Sequence, residues 1–297
     1  MKFSFSVNTW KRIITITTLA IIVGLIVSVF VASHKNKVLK SEIEDLHAFE
    51  VDEQTVKEAN DTRTGEMPDY SYTHPTLYVE NDFVFDAEEP EKVCYLTFDD
   101  GPAPGYTEKI LDTLKKYDAK ATFFVVYNDS DAAKNLYNRM IEEGHTIGVH
   151  TSSHNYSKIY ENVDNFLDDF DKVSRFVTEV TGYKPEIFRF PGGSINSYNI
   201  GNYQDIISEM LRRGYTYYDW NISSGDAASS VVSKENIVNN TVKGVLSTNK
   251  AIVLMHDGSG HKSTVKALPE VIEKLKAEGY EFRALSNDVK PTWFGYY

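Results

Sequence analysis

Cysteine is almost absent from this chain. Cys94 is the only one in 297 residues, so no internal disulfide framework can staple it. Its place inside an apolar run marks it as a buried, inert thiol. Also missing is any domain-wide positive field. The formal net charge is −12, which argues against a surface made to collect the phosphates of a nucleic acid. The acids are unevenly spread: residues 1–40 carry six basic residues (Lys2, Lys11, Arg12, Lys35, Lys37 and Lys40) and no acid, leaving −18 for the rest. Neither a glycine-rich dinucleotide fingerprint nor a Gly-rich loop ending in Lys-Ser/Thr occurs, so no nucleotide cofactor is expected.

What the amino end does contain is a run without charge. Residues 13–32, IITITTLAIIVGLIVSVFVA, make about 30 Å of helix, enough to cross the hydrocarbon of a bilayer. The Thr residues in it can bond back to helix carbonyls. A cleaved signal peptide is the rival reading, with VAS (31–33) as a passable site, but its apolar core is usually only ~7–15 residues. We therefore expect a short cytoplasmic segment (1–12), a single-pass anchor (13–32), an extracytoplasmic stalk and lead-in (33–90) and a catalytic body (91–297). In the lead-in, TLYVENDFVF (76–85) alternates enough to supply a strand or hairpin.

From residue 91 short apolar runs alternate with amphipathic ones. KVCYLTF (92–98), ATFFVV (121–126), TIGVH (146–150), EIFRF (186–190), YTYYDW (215–220), AIVLMH (251–256) and YEFRAL (280–285) read as strands. Between them lie helical patterns over 106–117, 132–144, about 163–180, 203–214, 234–247 and 263–279, with Thr107 as a possible cap of the first. About seven strands separated by helices predict an α/β fold with a parallel sheet. A doubly wound open sheet and a barrel both fit. Polar residues gather at the strand exits, as on the rim of a barrel, and this favours a distorted (β/α) barrel.

Those exits carry the candidate chemistry. LTFDDGP (96–102) places Asp99 and Asp100 side by side where a strand ends. HTSSH (150–154) adds His150 and His154, a weak signal alone but stronger for following a strand directly. Two imidazoles and one carboxylate suit a borderline metal such as zinc and leave a position for water. The second carboxylate is then free to take a proton from that water. Arg189, in RFPGG (189–193), offers a guanidinium fork to orient the base, and Gly192 can expose a backbone N–H to an oxyanion. His256 closes IVLMH and can act as general acid, with Asp219 on its other nitrogen. Trp220 is either core or a stacking face for a sugar. Asp226, Asp257 and His261 read as loop residues.

TFDDG, HTSSH, RFPGG, DW (219–220) and LMH (254–256), in this order and with ATFF (121–124) and GY.P (182–185) between, resemble the motifs of the polysaccharide deacetylases, the NodB-homology class or carbohydrate esterase family 4. The likeness spans roughly residues 91–285. It implies a distorted (β/α) barrel that removes N-acetyl groups from polymeric amino sugars with one divalent ion: zinc, with Co2+, Mn2+ or Ni2+ as substitutes. The resemblance makes Asp99 the base, and Asp100, His150 and His154 the metal ligands. It makes Arg189 the residue holding the base, and His256 the acid with Asp219 as its partner. Trp220 and Leu254 become walls of the groove and acetyl pocket, and the backbone at Gly192 the oxyanion donor. Two positions depart from the common pattern: Val149 stands where many members have Asn, and Gly192 where many have Tyr. With the anchor, the pattern is similar to membrane-tethered peptidoglycan N-acetylglucosamine deacetylases of Gram-positive bacteria. The alternatives are a deacetylase of a chitin-like, secreted or O-acetylated polymer such as acetylxylan, and a non-catalytic glycan-binding module.

Overall fold

The computed structural model describes residues 67–227 and 232–295. The expected cytoplasmic segment, the anchor at 13–32 and the stalk as far as residue 66 lie outside the described residues. Among those described, no helix is long and apolar enough to cross a membrane.

Eight strands form one parallel sheet: β1 (Val93–Asp99), β2 (Ala121–Val126), β3 (Thr146–Thr151), β4 (Ile187–Phe188), β5 (Thr216–Tyr217), β6 (Ile222–Ser223), β7 (Lys250–His256) and β8 (Glu281–Phe282). They are joined by α1 (Thr107–Lys116), α2 (Asp131–Glu142), the single turn α3 (Tyr156–Ile159), α4 (Val163–Thr181), α5 (Tyr203–Arg212), α6 (Lys234–Val245) and α7 (Lys262–Ala277). The lateral order is β5-β4-β3-β2-β1-β7-β6, with β8 beside the start of β1. The end strands β5 and β6 do not pair with each other among the described residues. The chain itself spans the seam: the Tyr218 N–H donates to the Phe188 carbonyl on one side, and the Asn221 N–H to that of Ile252 on the other. The sheet is thus an incomplete barrel. β6 and α3 have no counterpart in the sequence reading, because an element of two to four residues shows no period.

Alternation along the strands sorts side chains into two layers. On β1, Val93 and Tyr95 join Phe124, Ile187, Tyr218 and Ile252 in one apolar cluster inside the curved sheet. The same parity continues to Thr97 and Asp99 at the carboxyl end. Cys94, Leu96 and Phe98 alternate with them and are also buried, so β1 is covered on both faces. β7 repeats the pattern with Ile252, Leu254 and His256, and its register sets His256 directly beside Asp99. Gly148 of β3 is required by packing, since a Cβ there would come within 2.5 Å of the Phe124 ring.

The lead-in differs from expectation. Residues 76–85 form neither a strand nor a hairpin, and they lie against the body instead. Leu77 and Val79 are buried, and the Val79 N–H donates to the Arg213 carbonyl at 2.8 Å. The buried Arg213 guanidinium donates to the Tyr70, Thr73, His74 and Leu77 carbonyls, and its Nε to Glu209 at 2.7 Å. A single side chain thus saturates a stretch of backbone that makes no ladder of its own.

Replacing Arg213 with Met should strand those carbonyls and leave Glu209 to Arg212 and the Ser71 hydroxyl, at a cost of about 3 kcal/mol. Urea denaturation measures this; a loss below ~1 kcal/mol would show that the clamp does not hold the lead-in.

Candidate active site

The carboxyl ends of β1, β3, β4 and β7 bring Asp99, Asp100, His150, Arg189 and His256 to one mouth. His154 enters from the loop after β3. Asp100 and His154 both have left-handed backbones, with φ of 75° and 49°. Such strain at non-glycine residues persists only where the surroundings enforce it. Here the enforcement is visible. The Asp169 carboxylate on α4 accepts the Thr151 hydroxyl at 2.6 Å and the Ser152 and Ser153 N–H groups at 2.6 and 3.0 Å, while Thr151 Oγ1 accepts the His154 N–H at 3.2 Å. The loop that leads from His150 to His154 hangs from one acidic side chain.

Asp100 Oδ1 lies 3.1 Å from His154 Nε2 and 3.5 Å from His150 Nε2. This oxygen is buried and makes no hydrogen bond of acceptable geometry, as a ligand atom aimed at a shared point would be. Arg189 O accepts from His150 Nδ1 at 2.9 Å, which fixes that tautomer and turns the Nε2 lone pair toward Asp100. Burial keeps His150 below its usual pKa, so it is neutral and free to ligate. Burial works against the Asp100 charge, but the two imidazoles outweigh it and hold the carboxyl well below the usual range. His154 is raised, first by its contact with Asp100. Donor types, spacing and the orphaned oxygen all fit a divalent ion held by Asp100, His150 and His154.

Asp99, beside this triad, is held by Arg189. The guanidinium is fully buried. Its Nη1 donates to Asp99 Oδ1 at 3.0 Å and to Thr97 Oγ1 at 2.6 Å, its Nε to the Tyr218 carbonyl and its Nη2 to the Asp219 carbonyl. The Phe124 ring lies 4.3 Å away on one side and the Trp220 ring 5.6 Å away. With Oδ1 so engaged, the other Asp99 oxygen can accept a proton.

Two expectations are corrected by the geometry. Asp219 does not touch His256: its carboxylate accepts the Ser194 N–H and hydroxyl at 2.8 and 2.5 Å and the Phe294 N–H at 2.8 Å. It braces the turn after RFPGG, and only its carbonyl reaches the site, through Arg189. The partner of His256 is Asp226, whose Oδ1 takes Nδ1 at 2.8 Å and whose Oδ2 takes the His256 N–H and the Thr264 hydroxyl. Burial lowers the His256 pKa, but Asp226, Asp99 and Asp100 more than offset it and raise it to about 9. Trp220, half-buried, packs edge-on to Phe294 and against the inner cluster.

The remaining residues fall where the turn and register place them. Leu254 is buried on β7, two positions before His256. Pro191 and Gly192 occupy the centre of a turn closed by the Gly193 N–H on the Phe190 carbonyl, with Gly192 at φ 77°, as a type II turn demands. The Pro191 carbonyl accepts from Tyr160 and Asn196. In a planar trans peptide the Gly192 N–H therefore points the opposite way. Val149 has the opposite parity to His150 and so belongs to the other face of β3. Asp257 is buried beneath the mouth. Its N–H donates to the Asp99 carbonyl, its Oδ2 accepts the Thr107 hydroxyl at 2.6 Å, and burial raises its pKa to about 7. Thr107 thus serves Asp257 rather than capping α1. Gly101 lets the chain pass, since a Cβ there would fall 2.0 Å from that carboxylate.

Comparison with known proteins identifies the family. The profile of the family described as polysaccharide deacetylase matches residues 86–206. A peptidoglycan-N-acetylglucosamine deacetylase of Bacillus cereus is 36% identical over 218 residues, covering 71% of this chain and 93% of its own. A second from that organism is 34% identical, over 65% of this chain and 69% of its own. The crystal structure of the catalytic domain of a peptidoglycan N-acetylglucosamine deacetylase from Eubacterium rectale superimposes with a TM-score of 0.66 at 37% identity, over 70% of this chain and 94% of that one. The chain belongs to the polysaccharide deacetylase family.

Asp169 was not legible in the sequence, yet it holds the loop that carries the candidate ligand His154. Asp169→Ala should weaken zinc binding by about 10–100-fold, measured by competition with a chromophoric chelator. Parental affinity in a folded variant would show that the loop is held by other means.

Proposed function

We propose that the chain is a metal-dependent hydrolase that removes N-acetyl groups from N-acetylglucosamine units of cell-envelope peptidoglycan, releasing acetate. The observation that carries this reading is the meeting, in one mouth, of an Asp-His-His cradle, a carboxylate held by a buried arginine and an imidazolium held by Asp226. The family's relatives are named for this polymer, and the uncharged run at 13–32 fits a membrane tether that would keep the body beside its own envelope.

Asp100, His150 and His154 would hold the ion, zinc by the chemistry of its donors. Its contribution when bound is Lewis acidity, which polarises the acetyl carbonyl and lowers the pKa of a water from 15.7 toward ~7. Asp99, turned by Arg189, accepts the proton of the attacking water. The Gly192 N–H would donate to the oxyanion. His256, charged at neutral pH, gives its Nε2 proton to the departing sugar nitrogen, while Asp226 keeps Nδ1–H and stabilises the cation. Leu254 supplies apolar wall beside the acetyl methyl.

Purified protein should release acetate from peptidoglycan, and a chelator should abolish that release until divalent metal is restored. Acetate freed only from chitin oligomers or acetylxylan would move the substrate to another polymer, and binding without any release would sink the enzymatic reading.

Asp99→Asn keeps an oxygen for Arg189 but cannot take a proton. It should bind zinc like the parent while turnover drops at least ~100-fold; normal turnover would remove Asp99 from the base role.

The acid must enter the reaction protonated, so kcat/KM should fall as pH rises through the His256 pKa of about 9. Because Asp226 is what raises that pKa, Asp226→Asn should shift this alkaline limb to lower pH. An unmoved limb would assign it to another group.

A further inference from the structure

Beside the proposed reaction centre stands a second constellation of ligating atoms. Asp226, His256 and His261 offer one carboxylate and two imidazole donors that all lie within 4.8 Å of one another. His256 Nδ1 is 2.8 Å from Asp226 Oδ1, and His261 Nδ1 is 3.9 Å from Asp226 Oδ2. The two rings stack at 5.1 Å with planes 20° apart, so both present Nδ1 to the same carboxylate. A tetrahedral zinc with bonds near 2.1 Å sets its donors about 3.4 Å apart, and the three donor atoms here lie within 4.8 Å of one another. His261 is the N-cap residue of α7, where its carbonyl accepts the Val265 N–H, and its side chain makes no capping bond. Its described side-chain contacts are Asp226 and His256. Burial lowers its pKa, leaving the ring neutral at pH 7, the form that ligates.

We propose that Asp226, His256 and His261 form a second site for a borderline divalent cation such as Zn2+, and that filling it inhibits the enzyme. The cation takes His256 through Nδ1, releases the proton that Asp226 holds there, and occupies the carboxylate that stabilises the imidazolium. His256 can then no longer cycle as a proton donor. Expelling that proton costs affinity, so this site fills only after the Asp100, His150 and His154 cradle. Mg2+, which prefers oxygen donors and waters, is not expected to bind it. The inhibition rests on the acid role proposed for His256; the binding does not.

The test uses the full chain loaded with one equivalent of Co2+ and titrated with more. A second equivalent should bind with the visible absorption of a tetrahedral nitrogen-containing site, and His261→Gln should weaken it at least ten-fold. Excess Zn2+ should inhibit acetate release by the parent, whereas His261→Gln should keep the parental rate in one equivalent and resist the excess. Absence of a second equivalent in the parent, or unchanged second-site affinity in His261→Gln, would overturn the site. Two-site binding without inhibition would overturn the inhibitory role and leave the deacetylase reading to its own assay.

Discussion

The site is organised around a positive charge placed where a chain would ordinarily avoid one. Arg189 is entirely buried, and a guanidinium there survives only if nearly every donor finds an acceptor. It finds them on three sides: Thr97 and Asp99 on β1, and the Tyr218 and Asp219 carbonyls on the segment crossing the open seam. Its own carbonyl accepts from His150. One residue therefore links Asp99, His150 and the closure of the sheet. Lysine, a point charge without the planar fork, could not make these bonds together.

Above this plug, the mouth depends on loops held by acidic side chains. Asp169 supports the histidine loop, Asp219 the RFPGG turn, Asp257 the Asp99–Gly101 exit and Asp226 the acid. The strands fix where each loop begins; the acids fix its conformation. This division explains how Asp100 and His154 keep left-handed backbones without glycine.

The same division decides what could be read from the sequence. Residues at strand ends were legible because alternation and the exit from an apolar run mark them: Asp99, His150, Arg189 and His256 sit where that pattern places them. Asp100 and His154 followed by adjacency. The supporting acids were not legible. Asp169 sits within the polar face of a long helix, where FLDDFDK resembles any solvated stretch. Asp226 follows a strand of only two residues, too short to announce an exit. Asp219, which does follow an aromatic run, therefore drew the assignment that belongs to Asp226. Thr107 was misread for a related reason: its position at a helix start suits a cap, and its actual partner is 150 residues away. Contacts of that separation leave no local trace.

The electrostatics of the mouth give a reason for the ion that is independent of any motif. Asp100 and Asp226 are both held below the ordinary carboxylate range, and each achieves this by leaning on imidazoles. His154 gains its raised pKa from Asp100, and His256 gains its own largely from Asp226. At the Asp226 pair the shared proton serves the chemistry, because the reaction needs an acid there. At the Asp100 pair a proton serves nothing, since a protonated His154 cannot ligate. The contact with Asp100 that raises His154 is one a cation at the same point would take over. A divalent cation replaces the proton with a stronger charge and frees both imidazole lone pairs. It also leaves Asp99 as the carboxylate with an oxygen still open beside the Asp100, His150 and His154 cradle.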